Sequence, residues 1–397
     1  MISPVMPTYG APCLAFEKGE GVYLYAADGK RYLDFGAGIA VAGLGHCHPH
    51  LIEALTGQAE KLWHCSNLYR IPEQMRLAER LVAASFADSV FFNNSGAEAV
   101  ELSIKVARRY HSENGNPERY RVITCEGAFH GRSLATIAAG GQEKHLAGFG
   151  PVVDGFDHVA FGNLNEMRTA VSAETAAILV EPVQGEGGMR PMSLDYLRGL
   201  REIADEFGIL LMLDEVQSGM GRTGKLFAHE WAGIEPDVLA TAKGLGGGFP
   251  VGACLAKEGP AAVMTLGSHG STFGGNPLAM AVGNAVLDII LADGFLAHVD
   301  AVARRLWSRL EDLSEKYPSV FEGVSGAGLM VGLKCIPENS AVVEKCVEGG
   351  LLTVAAGNNV VRLVPPLIIE DSHVDEALSI IEKAARELGS APETGCD

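Results

Sequence analysis

Positive charge is scarce in this chain. Its 397 residues include 31 Lys and Arg against 49 Asp and Glu, a formal net charge of −18. A surface with that balance repels phosphate backbones and acidic membranes, which argues against nucleic acid and lipid surfaces as partners. Small anions remain possible if a local basic cluster is built against the prevailing field. The means for disulfide bonding are also thin. The eight cysteines (13, 47, 65, 125, 254, 335, 346 and 396) form no CxxC pair and no regular ladder. Met1-Ile2-Ser3-Pro4 has neither a basic head nor an apolar stretch, so a reducing, cytoplasmic setting is expected. Long apolar runs are missing as well. The longest are broken by Asn284, Asp288 and Asp293, and no segment reads as membrane-spanning. There is no internal repeat and no low-complexity tract.

Glycine is in excess, with 49 residues, where about 7% of a chain is usual. The glycines stand between short apolar runs, as tight turns in an α/β enzyme would require. A hydrophobic content of 47% supports a large core, and the length suggests two to three units at roughly 100–200 residues each. Buried strands are expected at Ser89–Asn93, Arg121–Cys125, Ala176–Glu181, Ile209–Asp214, Asp237–Ala242 and Gly252–Ala256. Helical spacing recurs between them, as in Leu194–Phe207. This alternation predicts a parallel sheet covered on both faces, with ligands at the carboxyl ends of its strands.

From about Asn276 the pattern changes. A helix over Pro277–Leu291 leads into a smaller α+β unit with strand-like Leu329–Lys334 and Val360–Val364. Its last helix, Val374–Leu388, has one apolar face and Ser372 as the expected N-cap. The turn Asp28-Gly29 and the strand-like Arg31–Phe35 are expected to join that unit. The division read from the sequence is 1–60 as an N-terminal part of the small domain, 61–285 as a large domain, 286–388 as the C-terminal small domain, and 389–397 as a fraying tail.

Several motifs compete for the chemistry. Gly219–Gly224 followed by Lys225 nearly spells a P-loop, but Leu226 stands where Ser or Thr would hold magnesium. The glycines are also separated from the preceding strand by Asp214-Glu215-Val216-Gln217. A nucleotide-binding regulator is therefore the alternative from another class, and a surface loop is the plainer reading. His46-Cys47-His48-Pro49-His50 has a metallic look. It lacks a second Cys/His pair, and Pro49 suits the first turn of a helix, so no metal is expected. Ser95-Gly96-Ala97-Glu98-Ala99 follows a strand and opens a helix, where free N–H groups suit a phosphate; an ordinary Ser95 cap fits equally well. Asp214 and Lys243 end two apolar runs with room for one crossover between them. Lys257 and Lys334 also end apolar runs, so spacing alone does not single out Lys243. Arg362, flanked by apolar residues, would want an anion if buried.

Taken in order, these pieces resemble the class III pyridoxal-phosphate aminotransferases over nearly the whole chain. The resemblance rests on Leu33-Asp34-Phe35, Gly45-His46-Cys47-His48-Pro49, Ser95-Gly96-Ala97-Glu98-Ala99, Phe129-His130-Gly131-Arg132 and Glu181 through Gly188. It continues through Asp214-Glu215-Val216-Gln217, Lys243-Gly244 and Ser271 through Pro277. It implies a fold-type-I architecture: an α/β large domain with a mostly parallel sheet, plus a smaller α+β domain. The implied cofactor is pyridoxal 5'-phosphate. Lys243 would hold it covalently and carry the proton, Asp214 would pair with its ring nitrogen, and Phe129 would stack on the ring. Gln217 would contact the phenolic oxygen, Gly96 and Ala97 would cradle the phosphate, and Thr272 would reach the phosphate of the neighbouring subunit in a homodimer.

Within the class the chain is most similar to the branch whose amino donor is N2-acetylornithine and whose acceptor is 2-oxoglutarate. There Arg132 would bind the donor's α-carboxylate and Arg362 that of the keto acid. Glu186 would gate Arg362 until the acid arrives. Ser271 resembles a contact to the acylated donor. Ile39 stands where relatives that use free ornithine carry a tyrosine, and an apolar side chain there tolerates an acylated amine. Succinylornithine and 4-aminobutyrate remain alternative donors. Ala11 departs from the arginine more usual in the opening signature.

Overall fold

The structure is a computed structural model that describes residues 4–9 and 14–390. Ala11, Cys13, Cys396 and the tail 391–397 lie outside the described residues. Seven strands form the central sheet, in the spatial order Ser89–Asn93, Gly252–Ala256, Val238–Thr241, Leu210–Asp214, Thr175–Val180, Arg121–Cys125 and Phe156–Val159. Six of them run in the same direction. Gly252–Ala256 is antiparallel to both its neighbours, so the sheet is mostly parallel, as expected, with this one strand reversed. The apolar run there carries no mark of direction, because a strand buried on both faces reads the same either way.

Period-2 geometry explains why these runs are strands. In Leu210–Asp214, Leu210 and Met212 pack on one face with Ala177, Leu179 and the helix Gly96–Glu113. Leu211 and Leu213 pack on the other with Ile178, Val180 and the helix Leu194–Phe207. Each fully buried leucine of this kind stabilises by roughly 1.5–3 kcal/mol. The helix Leu194–Phe207 begins where Ser193 accepts the Tyr196 N–H and ends at left-handed Gly208.

A second core gathers Val22, Leu33 and Phe35 with residues from Val299 to Ala385. It covers a four-stranded antiparallel sheet of Phe321–Ala327, Met330–Cys335, Val360–Leu363 and Val354–Ala356. The strand Arg31–Asp34 pairs in parallel with Leu351–Leu352, tying the N-terminal hairpin to this body. Leu44 and Leu51 instead pack with Leu77, Phe92 and the helix Pro277–Ile290 beside the central sheet. The last helix spans Asp371–Gly389 and is capped by Glu370, which corrects Ser372 as its N-cap. The Glu370 N–H donates to His373 Nδ1 at 2.9 Å, and that reciprocal pairing starts the helix ahead of the serine. Among the described residues no single helix is long and apolar enough to cross a membrane.

Candidate active site

Asp214 and Ala240 face each other on neighbouring parallel strands, and Lys243 follows just past the same sheet edge. The chain turns there through a left-handed Lys243, φ +45°, a conformation that costs about 1–3 kcal/mol in a residue with a side chain. The lysine opens into a cavity of about 450 Å³, with Asp214, Val216, Gln217, Phe129, Arg132 and Glu186 also in its walls. Lost hydration lowers the Lys243 pKa to about 8. The Arg362 charge adds to that lowering, and Glu186, Asp214 and Glu181 oppose it. About a tenth of such an amine is neutral and nucleophilic at pH 7, far more than for an ordinary lysine.

The turn before the helix Gly96–Glu113 forms another wall. Ser95 Oγ accepts the Glu98 N–H at 3.2 Å, and Glu98 reaches back to the Asn94 N–H at 2.6 Å. This reciprocal cap leaves the Gly96 and Ala97 N–H groups without an acceptor among the described residues. Position 96 requires glycine, because a Cβ there would lie 2.6 Å from Val216 Cγ1.

Arg362 is almost wholly buried on its strand, and its Nη1 donates to Glu186 Oε1 at 2.9 Å and to Gln217 Oε1 at 3.1 Å. Its Nε has no hydrogen-bond partner among the described residues. Arg132 lines the cavity with its guanidinium 5.5 Å from the Phe129 ring centroid, and it forms no ion pair among the described residues. Among the described residues, one unpaired arginine thus stands in the cavity wall and a second lies behind Glu186 and Gln217, latched by a carboxylate, both suited to carboxylate ligands.

The sequence signature described as Aminotransferase class-III matches residues 5–385. The chain belongs to the class III aminotransferases. It is 58% identical over 390 residues to the acetylornithine aminotransferase of Brucella melitensis biotype 1, covering 98% of this chain and 97% of that one. It is likewise 58% identical to the enzyme of that name from Mesorhizobium japonicum, covering 98% of each. Among solved structures, the N-acetylornithine aminotransferase of Stenotrophomonas maltophilia K279a superposes with a TM-score of 0.84 at 38% identity, covering 96% of this chain and 98% of that one. The ornithine aminotransferase of Toxoplasma gondii ME49 superposes with a TM-score of 0.92 at 30% identity, covering 96% and 92%.

Class III aminotransferases work with pyridoxal 5'-phosphate, and the cavity fits that group. Two orphaned N–H groups at a helix start suit its phosphate, Phe129 and Val216 suit its flat ring, Asp214 suits its ring nitrogen, and the Lys243 amine suits its aldehyde. Three neighbours escaped the sequence reading. His130 Nδ1 lies 2.8 Å from Asp214 Oδ2, with both side chains buried. Glu181 accepts the Phe129 N–H at 2.9 Å and is driven up to about pKa 7 by burial. Val216 packs where Gly96 makes room for it. His130 sits inside the quoted Phe129-His130-Gly131-Arg132 motif, so a signal existed, but nothing in the sequence aimed its ring at Asp214.

Two expected residues lie apart from the lysine cavity. Thr272 is exposed, and Ser271 lines a neighbouring cavity of about 420 Å³. Ser271 Oγ accepts from Asn94 Nδ2 at 3.2 Å, and Asn94 in turn lines the lysine cavity. The near P-loop spends its N–H groups internally: Gly219 donates to Glu215, Gly221 to Leu226 and Gly224 to Gly221. The three histidines of the metallic-looking cluster also diverge. His46 pairs with Asp34, His50 pairs with Asp288, and His48 caps the helix Pro49–Ala59.

Proposed function

We propose that this enzyme transfers the δ-amino group of N2-acetyl-L-ornithine to 2-oxoglutarate, giving N-acetyl-L-glutamate 5-semialdehyde and L-glutamate, as in arginine biosynthesis. The observation that carries this reading is the pair of arginines, one free and one held by Glu186, around a lysine of lowered pKa. It is supported by 58% identity along the chain to relatives named for acetylornithine. The higher TM-score to an ornithine aminotransferase reports backbone shape. Donor choice rests on side chains, and Ile39 offers no partner for a free ammonium.

When bound, the cofactor supplies an electron-withdrawing ring and stores the amino group between two half-reactions. Lys243 would anchor it through its amine, and the same amine would be the base that holds and moves the donor's proton. Asp214, fixed by His130, holds the ring nitrogen protonated. Phe129 and Val216 confine the ring, Gly96 and Ala97 bind the phosphate, and Gln217 donates from Nε2 because its oxygen is taken by Arg362. Arg132 binds the donor carboxylate while Glu186 keeps Arg362 occupied. The incoming keto acid then displaces Glu186 and takes Arg362. Ser271, through Asn94, helps hold the acylated end.

The active unit is a homodimer in which Thr272 completes the partner's phosphate site. Exposed Trp63, Leu68, Tyr69, Leu266 and Phe273 support a covered face. A cytoplasmic setting and a division into large and small domains belong to the same reading. The two cores support moving the first boundary from residue 60 towards Leu44. Turnover of acetylornithine, succinylornithine, ornithine and 4-aminobutyrate in competition at equal concentrations tests the proposal. Acetylornithine should dominate with ping-pong kinetics, and a preference for free ornithine would overturn it. The Lys243→Ala control should lose at least ~10⁴-fold in turnover.

A further inference from the structure

The strand Arg31–Asp34 ends in a conformation that L-residues rarely adopt. Ala37, Gly38, Ile39 and Ala40 all have positive φ, at +46°, +64°, +63° and +62°. Only one of the four is glycine and one is β-branched, so the sequence alone would relax this turn to another shape. Both flanks are fixed by backbone bonds. The Phe35 N–H donates to the Leu352 carbonyl at 2.9 Å, and the Phe35 carbonyl accepts from Val364 at 2.7 Å. Beyond the turn, the Gly43 carbonyl accepts the Leu367 N–H at 2.6 Å, and His46 exchanges two backbone bonds with Gly21.

Between these anchors one side chain holds the turn. Asp34 is buried, and its Oδ1 accepts the N–H groups of Gly36 at 2.9 Å and Ala37 at 2.8 Å, where the left-handed run begins. Its Oδ2 lies 2.8 Å from His46 Nε2, which fixes the carboxylate plane. The turn delivers Ala40 into a small apolar cluster with Val183, Met189 and Val360. The next residue, Val41, lines the lysine cavity, while Ile39 remains 39% exposed.

We infer that Asp34, oriented by His46, is a positioning residue for donor recognition: it holds the left-handed Ala37–Ala40 turn so that Val41 and Ile39 form the apolar wall met by the acylated end of the donor. This rests on acetylornithine being the donor. Asp34 is not among the residues lining the lysine cavity, so its effect passes through the turn.

The test uses the cofactor-loaded enzyme and its Asp34→Ala, Asp34→Asn and His46→Leu variants, together with Ala37→Gly placed in the Asp34→Ala background. kcat and KM are measured for acetylornithine, ornithine and 2-oxoglutarate. Asp34→Ala should lower kcat/KM for acetylornithine by about tenfold or more, mainly through KM, because charge-assisted bonds to two N–H groups are lost. KM for 2-oxoglutarate should stay within about twofold, and the preference for acetylornithine over ornithine should fall. Asp34→Asn, which keeps an acceptor for both N–H groups, should recover most of the preference. Ala37→Gly should recover part, since glycine takes positive φ without penalty. Should Asp34→Ala fail to fold, His46→Leu carries the same ratio test in milder form. Equal losses on both donors and the keto acid, or an unchanged donor ratio, would overturn the role of Asp34. A wild-type enzyme that ignores acetylornithine would instead overturn the donor reading itself.

Discussion

His130 Nδ1 and Asp214 Oδ2 lie 2.8 Å apart, and neither side chain has appreciable exposure. Burial alone would depress the imidazole pKa, but the Asp214 bond and charge outweigh it and hold the histidine above its usual range. The pair fixes the Asp214 side chain in one orientation. Replacing the histidine by leucine should weaken cofactor retention about 10–100-fold, the worth of one charge-assisted bond. Equilibrium dialysis of the cofactor against the variant measures it, and unchanged retention would remove His130 from the site.

Gly96 leaves room for Val216 and nothing more. Gly96→Ala should push that wall into the cavity and lower cofactor affinity by about tenfold, since overpacking a tight contact typically costs 1–3 kcal/mol. The thermal midpoint of cofactor-free protein should move far less than the binding constant, and calorimetric titration separates the two.

The Arg362–Glu186 latch predicts asymmetric kinetics. Arg362→Lys keeps the charge but loses the planar fork, so KM for 2-oxoglutarate should rise about 10–100-fold with little change in the donor half-reaction. Glu186→Gln keeps an acceptor but removes the charge, so it should weaken the latch on Arg362 and strengthen inhibition of the donor half-reaction by α-amino acids. Single-turnover absorbance traces of each half-reaction report both effects. Equal changes in the two halves would count against a gate.

Glu181 carries an inverted pH signature. Its folded pKa, raised from 4.5 to about 7 chiefly by burial, means the folded chain binds more protons than the unfolded chain between those values. Stability from this group therefore falls as pH rises from 4.5 to 7, and the full cost persists above 7. Glu181→Gln retains an acceptor oxygen and removes the charge. It should gain stability relative to the wild type at pH 8 and lose that advantage at pH 5, as urea midpoints at the two pH values would register.

Much of this was legible in the sequence because apolar runs of four to six residues leave few alternatives. Ser89–Asn93, Arg121–Cys125 and Gly252–Ala256 form the strands their composition dictates. Strand direction was not legible, since Gly252–Ala256 looks alike read either way. Lys243 could be told from Lys257 and Lys334 only by the ordered motifs around it, because burial is a property of the assembled sheet. The Ser95 turn stood level between cap and phosphate site, and the structure makes it a cap whose geometry leaves two donors over. His130, Glu181 and Asp34 went unread for one shared reason. Their long-range partners Asp214, Phe129 and His46 are 84, 52 and 12 residues away along the chain, at separations no local pattern encodes.

The reversed strand Gly252–Ala256 has its own bearing on how this enzyme can diversify. A chain that leaves the catalytic rim at Lys243 must come back to that rim before it descends, so Gly248, Phe249, Pro250 and Val251 crown the reaction chamber from the entering side. Lengthening or shortening that return would reshape the chamber directly. Equivalent edits where the strand exits, near Lys257, would fall on the far side of the sheet and leave the chemistry alone.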